Sequence, residues 1–369
     1  EHAEKHLLFI RSWKTGTLLV SKSPFLPDEI QRARAFCEKY QFDLAYYADM
    51  PEETANRFDI LKEPYYFLGA KALMGRDAKA FLKAYVFDVS PPRDDQPYFS
   101  HFFRWDKAQT LFQHLGREWL PLIELGYLFV IATLVQALLA SGLLILLPLF
   151  FLGRVQRESG KAGVKARPAD VVGTVLYFGC IGLAFMFLEM ALIPKYTLLL
   201  SHPIYSAAVV LASILVFAGL GSLCVGSAES RWRGFLWIPV GGIFLWVAFQ
   251  ALAGDWVVGR ALTLPLWGRA ALAVAMIAVL AFFMGWLFPS GLRAMARGFP
   301  GLVPWAWGVN GCASVIGAVM GKCLAVGVGF RMLMIAAWVL YLGAALLFYG
   351  RLHMKEEKIR IDRTAENSH

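Results

Sequence analysis

The pattern of hydrophobic and polar positions changes near Trp119. Before this residue, short apolar runs alternate with charged and turn-forming residues, whereas long apolar runs separated by short polar loops follow it. Seven of the long runs are near the ~20 residues that a helix needs to cross ~30 Å of hydrocarbon. The pattern predicts a soluble segment over residues 1–118, a membrane bundle over 119–352 and a basic polar tail over 353–369.

The bundle is predicted to be a polytopic α-helical protein of about seven spans. Only helices satisfy every backbone group in lipid without closing a barrel, so each long apolar run is expected to be a helix. The alternative is a set of buried helices in a large soluble protein. The predicted spans cover residues 121–152, 171–193, 204–226, 234–253, 270–288, 306–328 and 332–350.

The first 118 residues predict an α/β segment. Two apolar runs flank Lys14-Thr15-Gly16, and this arrangement is typical of a β-hairpin. Pro27 followed by two acids marks a helix start, and the apolar spacing after it predicts an amphipathic helix. FDLAYYADM, residues 42–50, indicates a short buried strand, and one or two further helices are expected within residues 60–84.

Composition and charge agree with a membrane protein. The chain is 58% hydrophobic and only 17% charged, with a mean hydropathy of +0.53. A net charge of +9 could indicate a nucleic-acid partner, but much of the basic content lies beside apolar spans and in the tail, so none is expected. The five cysteines have no CxxC or CxxH spacing, so neither a disulfide framework nor a metal site is predicted.

Loop charges predict the orientation of the bundle. Four basic residues, Lys195, Arg260, Arg269 and Arg331, fall in loops on one side, and fourteen fall on the other. The basic side is expected to be cytoplasmic, which places residues 1–118 on the opposite side. The fourteen are Arg154, Arg157, Lys161, Lys165, Arg167, Arg231, Arg233, Arg293, Arg297, Arg351, Lys355, Lys358, Arg360 and Arg363.

Glu189 is a carboxylate inside an apolar run, where an ionised group is costly and usually turns toward the bundle interior. Lys322 lies at a similar predicted depth on a span that runs in the same direction. Three interpretations stay open. In the first, the two residues form an ion pair or share a hydrogen-bond network. In the second, Lys322 extends to the membrane interface, and Glu189 is protonated or bonds to the backbone. In the third, both residues belong to a proton or substrate relay.

Other polar residues are candidates for helix contacts or interfacial roles. Asn310, Glu124 and Lys195 are intramembrane polar candidates, and Asn310 can hydrogen-bond between helices. His202, before Pro203 at a helix start, favours an interfacial cap over a ligand role. Small residues at close helical spacing predict tight helix packing: Ala208, Ala212, Gly219, Gly221, Gly308, Gly311, Gly317 and Gly321.

Two further motifs combine charge with turn-forming residues. In LFPSGLRAMARG, Pro289 and Gly291 are expected to break the fifth span, after which Arg293 and Arg297 follow. These arginines could contact an anion or a lipid headgroup. The favoured alternative is that they are a positive-inside stop signal. Asp94 and Asp95 would point to opposite faces of an extended strand, so a capping or turn role is favoured over acid/base chemistry.

Nine stretches of the sequence are distinctive in combination: RSWKTGTLLVSKSPF, FDLAYYADM, NRFD, PPRDDQPYFSHFFRW, ELGYLFVIATLVQALL, LYFGCIGLAFMFLEMALIPKY, HPIYSAAVVLASILVFAGLGSL, FPSGLR and WAWGVNGCASVIGAVMG. Together they resemble the C-terminal half of bacterial membrane-bound spermidine-synthase-like proteins, which join a methyltransferase-like Rossmann domain to a multi-span bundle. The resemblance covers essentially the whole chain.

The resemblance implies that residues 1–118 are the end of a Rossmann-like transferase domain. It also implies that the protein lies in the bacterial inner membrane. The cofactor-binding glycines and ribose-binding acid would lie upstream of Glu1, so no cofactor is expected in this chain. S-adenosylmethionine or its decarboxylated form is implied for the full-length protein. Such a domain would face the cytoplasm, whereas the loop charges place residues 1–118 outside, and the sequence leaves this open.

Three functions follow as expectations. The first is the membrane-embedded portion of a spermidine-synthase-like or methyltransferase-like enzyme, with the bundle as an anchor or a route for an apolar or cationic substrate such as a polyamine. The second is a transporter or channel for a small cationic or apolar solute. The third is a non-catalytic membrane subunit. The expected partners are the lipid bilayer and an upstream Rossmann domain, and no catalytic residue is predicted within the chain.

Overall fold

The computed structural model describes residues 3–98, 101–107, 109, 125–158, 168–231 and 234–353. They are mainly helical and divide into two compact units. One unit comprises Glu1–Pro91 and Phe102–Leu122, and the other comprises Pro92–His101 and Ile123–His369. The segment 92–101 thus belongs with the bundle. Glu124 and the tail beyond His353 lie outside the described residues.

The first unit is a small α/β fold. Its elements are β1 (Leu7–Arg11), β2 (Gly16–Val20), α1 (Pro27–Tyr40), β3 (Asp43–Tyr46), α2 (Tyr65–Met74) and α3 (Ala78–Ala84). The hairpin, the amphipathic helix, the buried strand and the later helices are confirmed. The strand order is β2-β1-β3, and both pairings are antiparallel. The described strands therefore contain no parallel βαβ unit, which is the hallmark of a Rossmann fold.

A buried carboxylate organises this unit. Asp43, at the start of β3, is 1% exposed, and its oxygens accept backbone N–H bonds from Arg57, Phe58 and Asp59 at 2.7, 2.9 and 3.0 Å. The buried Arg11 guanidinium donates to the same carboxylate at 2.8 Å. Burial acts to raise the pKa of Asp43, but the hydrogen bonds outweigh it and hold that pKa below its usual value.

The second unit is a helical bundle. Its helices are α4 (Leu125–Glu158), α5 (Pro168–Leu200), α6 (Pro203–Arg231), α7 (Trp237–Leu252), α8 (Gly254–Ala261), α9 (Leu266–Met284), α10 (Leu287–Gly298) and α11 (Val303–Leu347). Five stretches of the described chain are long and apolar enough to span a membrane. Counting α7 and α8 as one span bent by 64° gives six. The bundle is therefore compatible with an integral membrane protein.

α11 reverses direction at Gly329, whose φ of 87° and ψ of 169° are not helical. Residues 303–328 run alongside α5, because the Cβ position of Gly317 lies 3.0 Å from Met186 and that of Gly321 lies 3.3 Å from Phe187. Beyond Gly329 the chain returns, since the ring of Phe348 lies 5.9 Å from that of Tyr177, near the start of α5. A straight helix of this length would reach roughly 68 Å, more than twice the hydrocarbon thickness.

The break near Pro289 is not where the sequence predicts it. α9 ends at Met284, and α10 begins at Leu287, so Pro289 lies in the first turn of α10. A proline fits there because the first N–H groups of a helix have no partner within the helix. Gly291 has a packing role instead, because a Cβ at this position would lie 2.1 Å from the ring of Tyr177.

α6 and α9 cross at very short range. A Cβ on Gly221 would lie 2.0 Å from the carbonyl oxygen of Phe282, and a Cβ on Gly285 would lie 2.0 Å from that of Ala218. Each glycine thus admits the backbone of the opposite helix. This close approach is the kind of contact that holds helices together in lipid, where burial of apolar surface contributes little.

Candidate functional site

Charged residues converge at one end of the bundle, here called the Lys195 end. A cavity of about 300 Å³ lies between the segment 92–98, the C-terminal part of α5, α8 and the reversal of α11. It is lined by Asp94, Asp95, Pro97, Pro194, Lys195, Leu198, Asp255, Val258, Gly259, Leu262, Phe330, Arg331 and Met334. All these residues belong to the second unit.

Asp255 joins the two basic residues of the cavity. Its carboxylate lies 3.6 Å from Lys195 Nζ and forms an ion pair with the guanidinium of Arg331. Asp255 is also in the first turn of α8, where the positive end of the helix dipole stabilises a negative charge. The pairing brings together α5, α8 and the returning half of α11.

Asp94 and Asp95 form the two-residue turn between Arg93 and Gln96, so the predicted turn role is confirmed. The prediction that they point to opposite faces is wrong, because both line the cavity. A tight turn replaces the extended strand on which that prediction depends. Asp95 Oδ1 accepts the N–H of Arg331 at 2.8 Å, and Gln96 Nε2 donates to the carbonyl of Val326 at 3.1 Å.

The turn therefore caps both helix ends at the reversal of α11. Phe330 N–H also donates to the carbonyl of Asp95 at 3.1 Å. These bonds supply partners to N–H and C=O groups that a helix end leaves unpaired. The reversal at Gly329 is thus held by residues more than two hundred positions earlier in the chain.

A buried amide side chain lies beside Lys195, behind the lining of the cavity. Gln250 is fully buried, and its Nε2 donates to Tyr196 Oη at 3.3 Å. Its Oε1 has no hydrogen-bond partner among the described residues. A Cβ on Gly254 would lie 2.4 Å from this oxygen and 3.0 Å from Lys195 Nζ. The amide oxygen and the ammonium therefore face the same small space.

Asp94 is the unpaired carboxylate of the cavity. It is exposed and makes no hydrogen bond or ion pair with any residue in the described part of the chain. The other two acids are engaged, Asp95 by backbone and Asp255 by the two cations. With three acids and two bases, the ionised cavity carries one net negative charge. The cavity therefore presents the unpaired carboxylate of Asp94 and two cations, Lys195 and Arg331, that share one carboxylate.

The predicted Glu189–Lys322 pair is not formed. Lys322 is exposed, and its Nζ lies 4.9 Å from the centre of the Tyr98 ring. Gly321 faces α5, and the next residue of a helix is rotated by about 100°, so Lys322 points elsewhere. Glu189 is partly buried in α5 and has no hydrogen bond or ion pair within the described ranges.

A double-mutant cycle should show that these two residues act independently. We expect the effects of Glu189→Gln and Lys322→Met on the free energy of unfolding to add within about 0.5 kcal/mol, as for residues without contact. Unfolding in mixed detergent micelles provides the measurement. A coupling energy well above this value would indicate a pair. Glu229 and Arg293, which lie 3.7 Å apart, provide a contacting pair for comparison.

Asn310 and His202 have the structural roles that the sequence favours. Asn310 Nδ2 donates to the carbonyl of Phe178 at 3.2 Å and so joins α11 to α5. His202 precedes α6, and its Nδ1 accepts the N–H of Ile204 at 3.2 Å. Its ring also lies 5.2 Å from that of Tyr205. Both residues belong to helix contacts outside the cavity.

Arg293 and Arg297 lie at the opposite end of the bundle. Both contact the carboxylate of Glu229 on α6, Arg297 at 2.5 Å and Arg293 at 3.7 Å. The arginines thus join α10 to α6. Glu229 is an acid that the sequence reasoning did not consider.

The sequence reasoning identified Lys195, Asp94 and Asp95 but missed Asp255, Gln250 and the site role of Arg331. Gln250 had a usable signal, because it is a polar side chain inside a predicted span, as Glu189 is. Asp255 had none, since an acid in a loop is common. Within the described residues, no group of three or more His, Cys, Asp or Glu side chains could hold a metal ion.

The chain was compared with profiles of protein families, with characterised proteins and with solved structures. None of the three comparisons gave a match.

Proposed function

We propose that the chain is the membrane-embedded portion of a spermidine-synthase-like protein and that its bundle binds an amine-bearing substrate at the Lys195 end. The observation that supports this function best is Asp94, an unpaired carboxylate on the wall of a net-negative cavity. A protonated amine fits such a site because it donates charge-assisted hydrogen bonds to carboxylates.

The proposal includes seven spans. The reversal of α11 at Gly329 divides it into two crossings, which adds one to the six that count α7 with α8. With seven spans, Lys195, Arg260, Arg269 and Arg331 lie on the side away from the basic loops. The positive-inside rule then puts the cavity on the extracytoplasmic side. The site would receive its substrate from that side.

A transporter is the second candidate, and the position of the cavity favours it less. Transporters typically bind substrate near the midplane of the bilayer, between discontinuous helices. Here the bend between α7 and α8 and the reversal of α11 both lie at one end of the bundle. A site at this depth is suited to binding a substrate at the membrane surface rather than to passing it across.

Spermidine binding to the protein in nanodiscs tests the proposal. We expect saturable binding that weakens with ionic strength, because the charges are solvent-accessible. Asp94→Asn should weaken binding about fivefold, the equivalent of about 1 kcal/mol for one exposed ion pair. Isothermal titration calorimetry provides the measurement.

The control is Asp28→Asn, which removes an exposed acid from α1 in the first unit and should leave the affinity unchanged. Equal spermidine affinity for wild type and Asp94→Asn would contradict the cavity as the site. Uptake of labelled spermidine into proteoliposomes is not expected. Its detection would favour the transporter.

A further inference from the structure

The cavity opens where lipid headgroups would lie. α8 bends by 64° from α7 at the end of the bundle, and its Trp256 is 66% exposed. Trp267, at the start of α9, is 77% exposed. Exposed tryptophans near the ends of apolar helices are typical of the membrane–water interface. The guanidinium of Arg260 lies 5.6 Å from the Trp256 ring and gives this face a polar edge.

Charges of both signs line the cavity. Lys195 and Arg331 share the single carboxylate of Asp255, so this group retains one positive charge. Asp94 and Asp95 lie on the turn that caps Phe330 and Arg331, and Asp94 is the exposed acid of the two. Apolar side chains, among them Leu198 and Leu262, complete the lining. A ligand that matches this arrangement carries an anionic group, an ammonium and an apolar part.

We propose that the cavity binds a zwitterionic phosphoethanolamine group, with its phosphate at Lys195 and Arg331 and its ammonium at Asp94. The inference rests on the proposed binding function of this cavity and specifies another ligand class for it. Arginine and lysine are the usual partners of phosphate oxygens, and a primary ammonium donates up to three hydrogen bonds to carboxylates. The volume of about 300 Å³ is at the lower end for ligand pockets and is suited to a headgroup.

Native mass spectrometry of the full chain tests the proposal. The protein is released from nanodiscs containing equal amounts of phosphatidylethanolamine, phosphatidylcholine and phosphatidylglycerol. We expect selective retention of one phosphatidylethanolamine, because phosphatidylcholine lacks ammonium N–H donors and phosphatidylglycerol lacks the cation. Asp94→Asn should reduce this retention about fivefold, whereas Asp28→Asn should not change it. Lys195→Met should also reduce it.

Separate titrations with soluble phosphoethanolamine distinguish the two sources of the headgroup. Binding of both forms, weakened by Asp94→Asn, indicates recognition of the free headgroup, and binding of the lipid alone indicates a membrane ligand. Either result supports the site. Equal retention of the three lipids, or retention insensitive to Asp94→Asn and Lys195→Met, would overturn it. Spermidine binding without phosphatidylethanolamine retention would refute this inference and leave the proposed function standing.

Discussion

Gly221→Ala should prevent α6 and α9 from packing at their native distance. The new methyl group would lie 2.0 Å from the carbonyl oxygen of Phe282, and a backbone atom cannot rotate away as a side chain can. The helices must separate, and the reciprocal contact of Gly285 with Ala218 would be lost with them. We expect destabilisation of about 3 kcal/mol, at the upper end for overpacking. Thermal unfolding in detergent, followed by size-exclusion chromatography, provides the measurement.

Gly219 provides a matched control on the same helix. A Cβ at Gly219 meets no atom within 4 Å, so Gly219→Ala should be neutral or slightly stabilising through helix propensity. Both variants add one methyl group to α6, and they differ only in what it meets. Equal unfolding temperatures for Gly219→Ala and Gly221→Ala would show that the close crossing does not exist.

These glycines also show how far the sequence predicts the fold. The small residues in α6 and α11 indicate tight packing, and the structure confirms close contacts at Gly221, Gly317 and Gly321. Gly219, Gly308 and Gly311 meet no atom within 4 Å of a Cβ and do not contribute in this way. Spacing along one helix reveals a face that can be approached closely. It does not reveal which neighbour approaches or at which residue, because that depends on the partner helix.

The candidate site was predictable only in part, for a related reason. Hydropathy identifies a charged residue in an apolar run, so it pointed to Glu189 and Lys322. The cavity instead forms where a turn and helix ends far apart in sequence meet, as at Asp95, Asp255 and Arg331. Their convergence depends on the bend after α7 and the reversal of α11. The predicted spans end at residues 253 and 328, beside both events, but span boundaries do not indicate how sharply the chain turns or which distant segment it meets.

Asp43→Ala should severely destabilise the first unit. The substitution leaves the N–H groups of Arg57, Phe58 and Asp59 without their acceptor and leaves the buried guanidinium of Arg11 without its counter-charge. Removing one partner of a buried ion pair typically costs about 3–5 kcal/mol. Hydrogen exchange on the full chain should show the peptide covering residues 57–59 losing its protection. Asp28→Ala, at an exposed acid of α1, should leave that protection unchanged.

A second substitution separates charge from hydrogen bonding. Arg11→Met in the Asp43→Ala background removes the uncompensated cation, so it should recover part of the protection at residues 57–59, whereas the unpaired N–H groups prevent full recovery. Intact protection at residues 57–59 in Asp43→Ala alone would contradict the role of the carboxylate, and no recovery in the double variant would show that the charge of Arg11 is not part of the effect.

Acid should weaken the same region of the wild-type protein. The pKa of Asp43 is lowered in the folded state, so the unfolded chain binds more protons as the pH falls below about 4. The stabilisation by the carboxylate is therefore complete above that pH and is lost progressively as the pH falls through the lowered folded-state pKa. Hydrogen exchange at residues 57–59, corrected for the intrinsic effect of pH, should show protection constant near neutrality and falling only in this acidic range. Protection that falls already between pH 7 and 5 would show that another group controls the stability of this region.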